Sequence, residues 1–393
     1  MTVVVTGISC HTALGGLEST WRSLLLGRSG IREHQPFPEL SPQRMALIGS
    51  VPQTLETLVH TLIPAVLRDA NLDLSQPDCA IVLGSSRGNQ QLWERKLGGR
   101  QLDERFMRDG FLNYPNLNYP NPVLNQWETS LPHRAATLAA QLIGSTTEVH
   151  APMNACATGI TAIAQGFRLN ESGYCDRVLV GAIEAPITPL TLAGFSRMGA
   201  LSSTHARPFD RHRDGFVLGE GGAVMILERE STAQARQAKF CGYILGIGLT
   251  ADAYHFSTPE PTGKEAARSI HLCLRQANLK PDQIQFIHAH GTATRLNDAR
   301  EAELFKTDFP NAAISSTKGA TGHTLGASGA IGSVICLKAI QHQILPPCIG
   351  LQHPEYPAID WVREARLCRV NHALCLSFGF GGQNSAVVFG RSG

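Results

Sequence analysis

The sequence predicts an α/β protein built from two pseudo-repeated α/β halves, with sheets and helices in layers. Three observations predict it. Short apolar runs ending in glycine alternate with segments of helical spacing from Val3 to Phe389. The order strand, chemistry-bearing turn, Gly/Ala-rich helix occurs around residue 156 and again around residue 323. At 393 residues the chain also exceeds the size at which one core stops growing.

The elements follow in order. Val3–Val5 is a short buried strand entering the turn at Gly7, and Ala80–Leu83 is a second strand closing on Gly84. Ser19–Leu26 and Leu55–Ala70 between them read as helices. Residues 100–132 break the rhythm with Tyr114, Pro115, Tyr119, Pro120 and Pro122, which suggests a loop excursion serving as lid, cap or dimer contact. Thr147–His150 then leads as a strand into the Cys156 turn, and Ala157–Leu169 is a buried helix. Arg177–Ala182 and Gly222–Leu227 are further strands. From Gly242 the same grammar restarts: strand Tyr243–Gly248, helix Lys264–Ala277, strand Ile284–His290, strand Ala313–Ser316, helix Ala327–Ile340, then strands Leu374–Ser377 and Ser385–Phe389. The expected division is residues 1–240 and residues 241–393, with both Gly/Ala-rich helix N-termini at the middle.

Composition excludes several function classes. Hydrophobic residues make up 43% and charged ones 17%, which suits a well-buried enzyme and argues against disorder. A net charge of +2 without a basic block gives no footprint for nucleic acid. Ten cysteines include no C-x-x-C pair, so neither a zinc site nor a redox framework is expected. No run reaches the roughly 18 apolar residues of a membrane span. The first residues read as a strand and not as a signal peptide, and a cytoplasmic location is expected.

Three residues stand out chemically. Cys156 lies in Asn154-Ala155-Cys156-Ala157-Thr158-Gly159, a small-residue turn before a helix. A helix N-terminus favours the thiolate, and the adjoining backbone N–H groups face the same pocket. His290 and His323 each sit at a glycine-rich turn, in His290-Gly291-Thr292 and Lys318-Gly319-Ala320-Thr321-Gly322-His323. Imidazoles there can reach a central pocket and supply donors or a base to whatever the thiol holds. His288 shares a strand face with His290 but is the weaker candidate. A metal site is not expected.

Together with Ser377-Phe-Gly-Phe-Gly-Gly382, Arg207–Glu220 and Glu184–Pro189, these motifs resemble the elongating β-ketoacyl-acyl-carrier-protein synthases, from Val3 to Phe389. The resemblance implies a thiolase fold and a Cys-His-His site that performs a decarboxylative Claisen condensation. Cys156 would hold the acyl chain as a thioester. His290 and His323 would hydrogen-bond the thioester oxygen of malonyl-carrier protein as carbon dioxide leaves, and the carbanion would attack the Cys156 thioester. Backbone N–H groups of Cys156 and Phe380 would form the oxyanion hole. Lys318 matches the family lysine that organises the histidine site, and Glu301 its acidic partner. Thr292 and Thr294 fall where family threonines bind the phosphopantetheine arm, and Phe378 and Phe380 where aromatic residues gate the acyl pocket. No resident cofactor is implied, since the arm arrives on the carrier protein. The implied partners are an acyl carrier protein and a second subunit, in a homodimer or a heterodimer.

Some positions depart from the family pattern. Arg295 stands where Pro is usual, and Gln383 replaces a common Thr. Ser130-Leu131-Pro132-His133 stands where a Pro-Asn-Met stretch is usual. The helix at Leu55–Ala70 carries only Arg68, with Arg197 near the second expected docking patch, so the basic face for a carrier is thin. A degradative thiolase would need a second catalytic Cys, and Cys375 sits in a strand instead. A chain-initiating synthase would carry Asn where His323 stands. The alternative of another class, a non-condensing partner subunit of a heterodimer, is opposed by the intact Cys156.

Overall fold

The computed structural model describes residues 2–98 and 129–391. The excursion expected at residues 100–132 therefore falls, in all but its last positions, outside the described residues. The first half supplies strands β1 (Val3–Thr12), β2 (Cys79–Gly84), β3 (Val149–His150), β4 (Arg177–Glu184) and β5 (Gly221–Arg229). The second supplies β6 (Gly242–Ala251), β7 (Phe286–His288), β8 (Ala313–Ser315), β9 (His372–Gly379) and β10 (Gln383–Gly390). Across the sheet the order is β8-β7-β9-β10-β6-β1-β5-β4-β2-β3. Read outward from the centre, each half places its first, fifth, fourth, second and third strands in that sequence. The expected repeat is therefore present in the topology.

Within each half the second strand pairs parallel with the third and fourth, while the remaining contacts are antiparallel. The halves meet through β1 and β6, paired antiparallel at Val3↔Ile244, Val4↔Tyr243 and Val5↔Gly242. Beyond those positions two half-sheets diverge and helices fill the space. Helix α1 covers Leu17–Leu25, α2 Leu55–Asp69, α3 Arg134–Ile143, α4 Thr158–Glu171, α5 Pro189–Arg197, α6 Lys264–Gln276, α7 Arg295–Asp308 and α8 Ser328–His342.

Helices α4 and α8 form the central layer, which explains their composition. Every residue of Ser328–Ile340 is buried, so α8 has no solvent face to make polar. A Cβ on Gly159 would lie 2.5 Å from the backbone nitrogen of Ala330, and one on Gly329 would lie 2.9 Å from Ile160 Cγ1. Only hydrogen side chains permit that approach. The outer helices keep the amphipathic pattern. Helix α2 buries Leu55, Leu58, Val59, Leu62, Ile63, Val66 and Leu67, and its first turn is capped by Thr54, whose hydroxyl accepts from the Thr57 N–H at 3.1 Å.

Two sequence expectations need adjusting, and one helix was missed. The strand expected over Ile284–His290 stops at His288, because the N–H groups of His290 and Gly291 leave the ladder for the Glu301 carboxylate. The Lys318–His323 turn contains a helical turn, Lys318–Thr321. Helix α7 was not legible, because its buried side chains include Asp298 and Glu301 beside Ala302 and Phe305, leaving no apolar stripe to read.

Candidate active site

The nucleophile turn is held in an uncommon backbone shape. Ala155 adopts a positive φ of 46°, just before Cys156 and the start of α4. Thr158 stabilises it, its hydroxyl accepting from the Asn154 N–H at 2.8 Å and donating to the Ala155 carbonyl at 2.7 Å. From the other half, the Ser377 hydroxyl donates to the Cys156 carbonyl at 2.9 Å. Gly379 lies flat on this turn; a Cβ there would meet the Asn154 carbonyl at 3.0 Å and the Cys156 nitrogen at 3.1 Å. The chain then turns so that the Phe380 N–H hydrogen-bonds to the Cys156 sulfur. A backbone donor from the second half thus sits on the nucleophile of the first.

Electrostatics at the thiol differ from the expectation of a ready thiolate. Burial pushes the Cys156 thiol up to about 11, against the lowering influence of Lys318, the Phe380 N–H and Arg87. Desolvation outweighs them, because Cys156 is buried, with only 7% of the residue exposed.

The imidazoles of His290 and His323 stand edge to face, with ring centroids 5.5 Å apart. Both are buried, and burial first, then Lys318, pushes them well below the ordinary histidine value, so they are neutral at pH 7. Ser328 Oγ lies 2.8 Å from His323 Nδ1, so its hydroxyl can donate there and leave Nε2–H toward the cleft. His290 Nδ1 is buried without a hydrogen-bond partner among the described residues, which leaves Nε2 as the nitrogen that meets the cleft. Phe378 packs against His290 at 5.8 Å, and Phe216 against His323 at 5.0 Å.

Lys318 and Glu301 sit behind the histidines. The Lys318 ammonium donates to the His290 carbonyl. The Glu301 carboxylate accepts from the N–H groups of His290 and Gly291 at 2.8 and 2.6 Å, and from Asn297 Nδ2 at 2.7 Å. Burial and the neighbouring Asp298 push the Glu301 carboxyl up to about 7, and burial lowers Lys318. The two charges meet through the His290 turn that both of them grip.

The cleft in front of these groups has a volume of about 500 Å³ and is lined by Cys156, His290, His323, Thr292, Thr294, Phe378 and Phe380 among others. Seven residues singled out from the sequence thus share one cavity, and the remaining two, Lys318 and Glu301, back it. The Thr292 and Thr294 hydroxyls lie 2.9 Å apart on one wall. His288 is not part of it: its Nε2 lies 3.1 Å from Thr317 Oγ1, and its ring is packed against Gly332 of α8. Asp210 and Glu220 are engaged by backbone N–H groups of Gln352 and His353, and of Ile48 and Gln53, as loop clamps. Asp214 accepts from Ser202 Oγ at 2.6 Å and also borders the cleft.

Sequence reasoning missed several groups. Arg300 stands over the Phe378 ring at 5.0 Å and reaches Asp252, whose other oxygen accepts from Asn384 at 2.6 Å; this links the Phe380 loop to α7. Ser328, whose hydroxyl pairs with His323 Nδ1, carries no motif of its own. Its spacing of five residues from His323 inside a Gly/Ala-rich run was the only available signal.

Comparison with known proteins places the chain. The family description "Beta-ketoacyl synthase, N-terminal domain" matches residues 50–233, and "Beta-ketoacyl synthase, C-terminal domain" matches residues 241–352. A 3-oxoacyl-[acyl-carrier-protein] synthase 2 from Synechocystis sp. is 34% identical over 98% of this chain and 97% of its own length. A putative mitochondrial 3-oxoacyl-[acyl-carrier-protein] synthase from Schizosaccharomyces pombe is 33% identical over 98% of both. Among solved structures, a type II polyketide ketosynthase, bound to a hexaketide and in complex with its acyl-carrier protein, superposes with TM-score 0.88 at 27% identity, covering 100% of this chain and 99% of that one. The ishigamide ketosynthase/chain length factor superposes with TM-score 0.87 at 27% identity, covering 100% and 99%. The ketosynthase neighbours share the thiolase fold. With two family domains in order, full-length relatives above 30% identity and a cysteine facing two neutral histidines, the chain belongs to the β-ketoacyl synthase family.

Proposed function

We propose that this chain is a β-ketoacyl-acyl-carrier-protein synthase, an acyltransferase that performs a decarboxylative Claisen condensation. The observation that carries the assignment of roles is one cavity holding a thiol, two neutral imidazoles and a backbone N–H on the sulfur. The Cys156 sulfur attacks the thioester carbonyl of an acyl-carrier protein; its proton leaves with the carrier thiol, and the acyl chain stays on Cys156. Malonyl-carrier protein then enters, its phosphopantetheine arm lying along Thr292 and Thr294. As the bond to the carboxylate breaks and carbon dioxide departs, the electron pair moves toward the thioester oxygen. His290 and His323, neutral and therefore donors that do not give up the proton, stabilise that oxygen. The carbanion attacks the Cys156 thioester carbonyl, whose oxygen becomes negative beside the N–H groups of Cys156 and Phe380. Collapse expels the Cys156 thiolate and leaves a 3-oxoacyl-carrier protein two carbons longer than the donor chain.

Lys318 and Glu301 are positioning residues in this reading, Phe378 and Phe380 line the gate, and no resident cofactor takes part. Residues 1–240 and 241–393 are the two units that together complete the site. The carrier protein is the partner, and a second ketosynthase-like subunit, identical or related, completes a dimer; the polyketide relative in complex with its carrier protein supports the first. Arg68 and Arg197, both exposed at helix C-termini, are the cations offered to an acidic carrier. A cytoplasmic location is part of this reading; no helix among the described residues is long and apolar enough to cross a membrane.

The test is intact-protein mass spectrometry after mixing the chain with acyl-carrier proteins of several lengths, with Cys156→Ala alongside. A mass gain equal to the acyl group, mapped to Cys156 and absent from the variant, supports the reading. No adduct with any donor sinks it and returns the chain to the class of non-condensing partner subunits.

A further inference from the structure

A second cavity of about 340 Å³ adjoins Cys156, sharing Cys156, Phe195, Leu325 and Phe380 with the main cleft. Its wall is not uniformly apolar. Arg87 lines it, and the guanidinium carbon stands 5.3 Å from the centroid of the Phe195 ring. Among the described residues that guanidinium has no hydrogen bond and no ion pair. A buried carboxylate that feels its charge is occupied elsewhere: Glu184 accepts from the Ser86 N–H and from Ser85 Oγ at 3.3 Å. Arg87 still acts on this surface, favouring the charged forms of both Cys156 and Glu184.

The loop that presents Arg87 is pinned at both ends. Ser85 Oγ also accepts from the Gly88 N–H at 2.8 Å, and Gly88 takes a positive φ of 57° where a Cβ would lie 2.7 Å from the Pro132 nitrogen. The arginine therefore enters the cavity from a fixed backbone. Stacking on Phe195 restrains the plane of the guanidinium and leaves its edge donors unengaged.

We propose that Arg87 is a specificity-determining residue, and that the acyl group this cavity takes carries an oxygen acceptor, carbonyl or hydroxyl, within reach of the guanidinium. The inference rests on the reading of Cys156 as the acyl acceptor. A fully reduced alkyl chain filling the cavity would strip water from a fixed cation and return no hydrogen bond. A chain of the same length bearing an oxygen restores one, and a bond to a charged group discriminates by about 10- to 100-fold. The donor would then come from a condensation whose 3-oxo group had not been reduced to methylene before this enzyme received it.

The experiment measures rates of Cys156 acylation by mass spectrometry with hexanoyl, 3-hydroxyhexanoyl and 5-oxohexanoyl pantetheine thioesters. Wild type, Arg87→Met and Arg87→Lys are compared. In wild type at least one oxygenated chain is expected to load about tenfold faster than hexanoyl. Arg87→Met is expected to abolish that ratio, and Arg87→Lys to retain part of it. The ratio, unlike the rates, does not move if a variant merely folds less well. Equal loading of all three chains by wild type, faster loading of hexanoyl, or an unchanged ratio in Arg87→Met overturns the inference and leaves the ketosynthase reading intact. No loading of any chain by folded wild type overturns both.

Discussion

Lys318 and Glu301 hold opposite faces of the same peptide turn, the ammonium taking the His290 carbonyl and the carboxylate taking the His290 and Gly291 N–H groups. Neither charge lines the cleft; both hold the His290 turn in place, and Lys318 also acts through its field on His290, His323 and Cys156. Lys318→Met and Glu301→Gln should each lower carbon dioxide release from malonyl-carrier protein by about 10- to 100-fold. With Glu301→Gln, acylation of Cys156 should stay within about threefold, because that step does not use the imidazole pair as donors to malonate. Lys318→Met also removes a charge that favours the Cys156 thiolate, so acylation should fall there too, by less than carbon dioxide release. The split is read from carbon dioxide release against intact mass. Equal loss in both steps would make the clamp a general requirement for folding.

Ser328 Oγ lies 2.8 Å from His323 Nδ1, where its hydroxyl can donate and so favour the tautomer with the proton on Nε2. Ser328→Ala removes the donor to Nδ1 and lets the proton reside there, turning Nε2 into an acceptor facing the thioester oxygen. A fall of about tenfold in carbon dioxide release is expected with the melting temperature nearly unchanged. Unaltered decarboxylation would show that the tautomer is held by some other group.

The Cys156 thiol, pushed up to about 11 by burial, should remain protonated through neutral pH. Its alkylation by iodoacetamide should therefore rise about tenfold per pH unit between pH 7 and 10 without levelling off. Peptide mapping separates it from the other nine cysteines, of which Cys368 is the most exposed. A plateau below pH 8 would mean that the thiolate is already present in the resting protein.

Gly159 and Ala330 set the spacing of the central helices. Gly159→Ala places a methyl 2.5 Å from the Ala330 nitrogen, a backbone atom that cannot swing away. A destabilisation of about 1–3 kcal/mol is expected from denaturant unfolding. Gly194→Ala is the control: nothing lies within 4 Å of a Cβ there, and α5 should gain about 0.5–1 kcal/mol from the better helix former. Similar midpoints for the two variants would contradict tight packing between α4 and α8.

Much of the fold could be read in advance because its strands are buried on both faces and its central helices have no solvent face. Apolar runs broken by glycine, and helices made of Gly and Ala, follow from that burial and are visible in the residues themselves. Cys156, His290 and His323 were legible for a related reason: each sits at a turn of small residues, a local pattern visible in the sequence. Helix α7 was not legible, since its buried face is ionic and answers to the His290 turn instead of to an apolar core. The thiol's protonation was not legible either, because a sequence shows the helix behind Cys156 but not the depth of protein over it. Ser328 beside His323, Arg300 over Phe378 and Arg87 over Phe195 join segments that are distant in the chain or featureless in it. Such pairs arise only when two half-sheets close around a shared helical layer. The sequence by itself determined the apolar elements, their repeat and the three reactive side chains, since those depend on local periodicity and turn chemistry. The tertiary structure alone decided their protonation, their tautomers and the charge in the second cavity, since those depend on burial and on neighbours that only folding brings together.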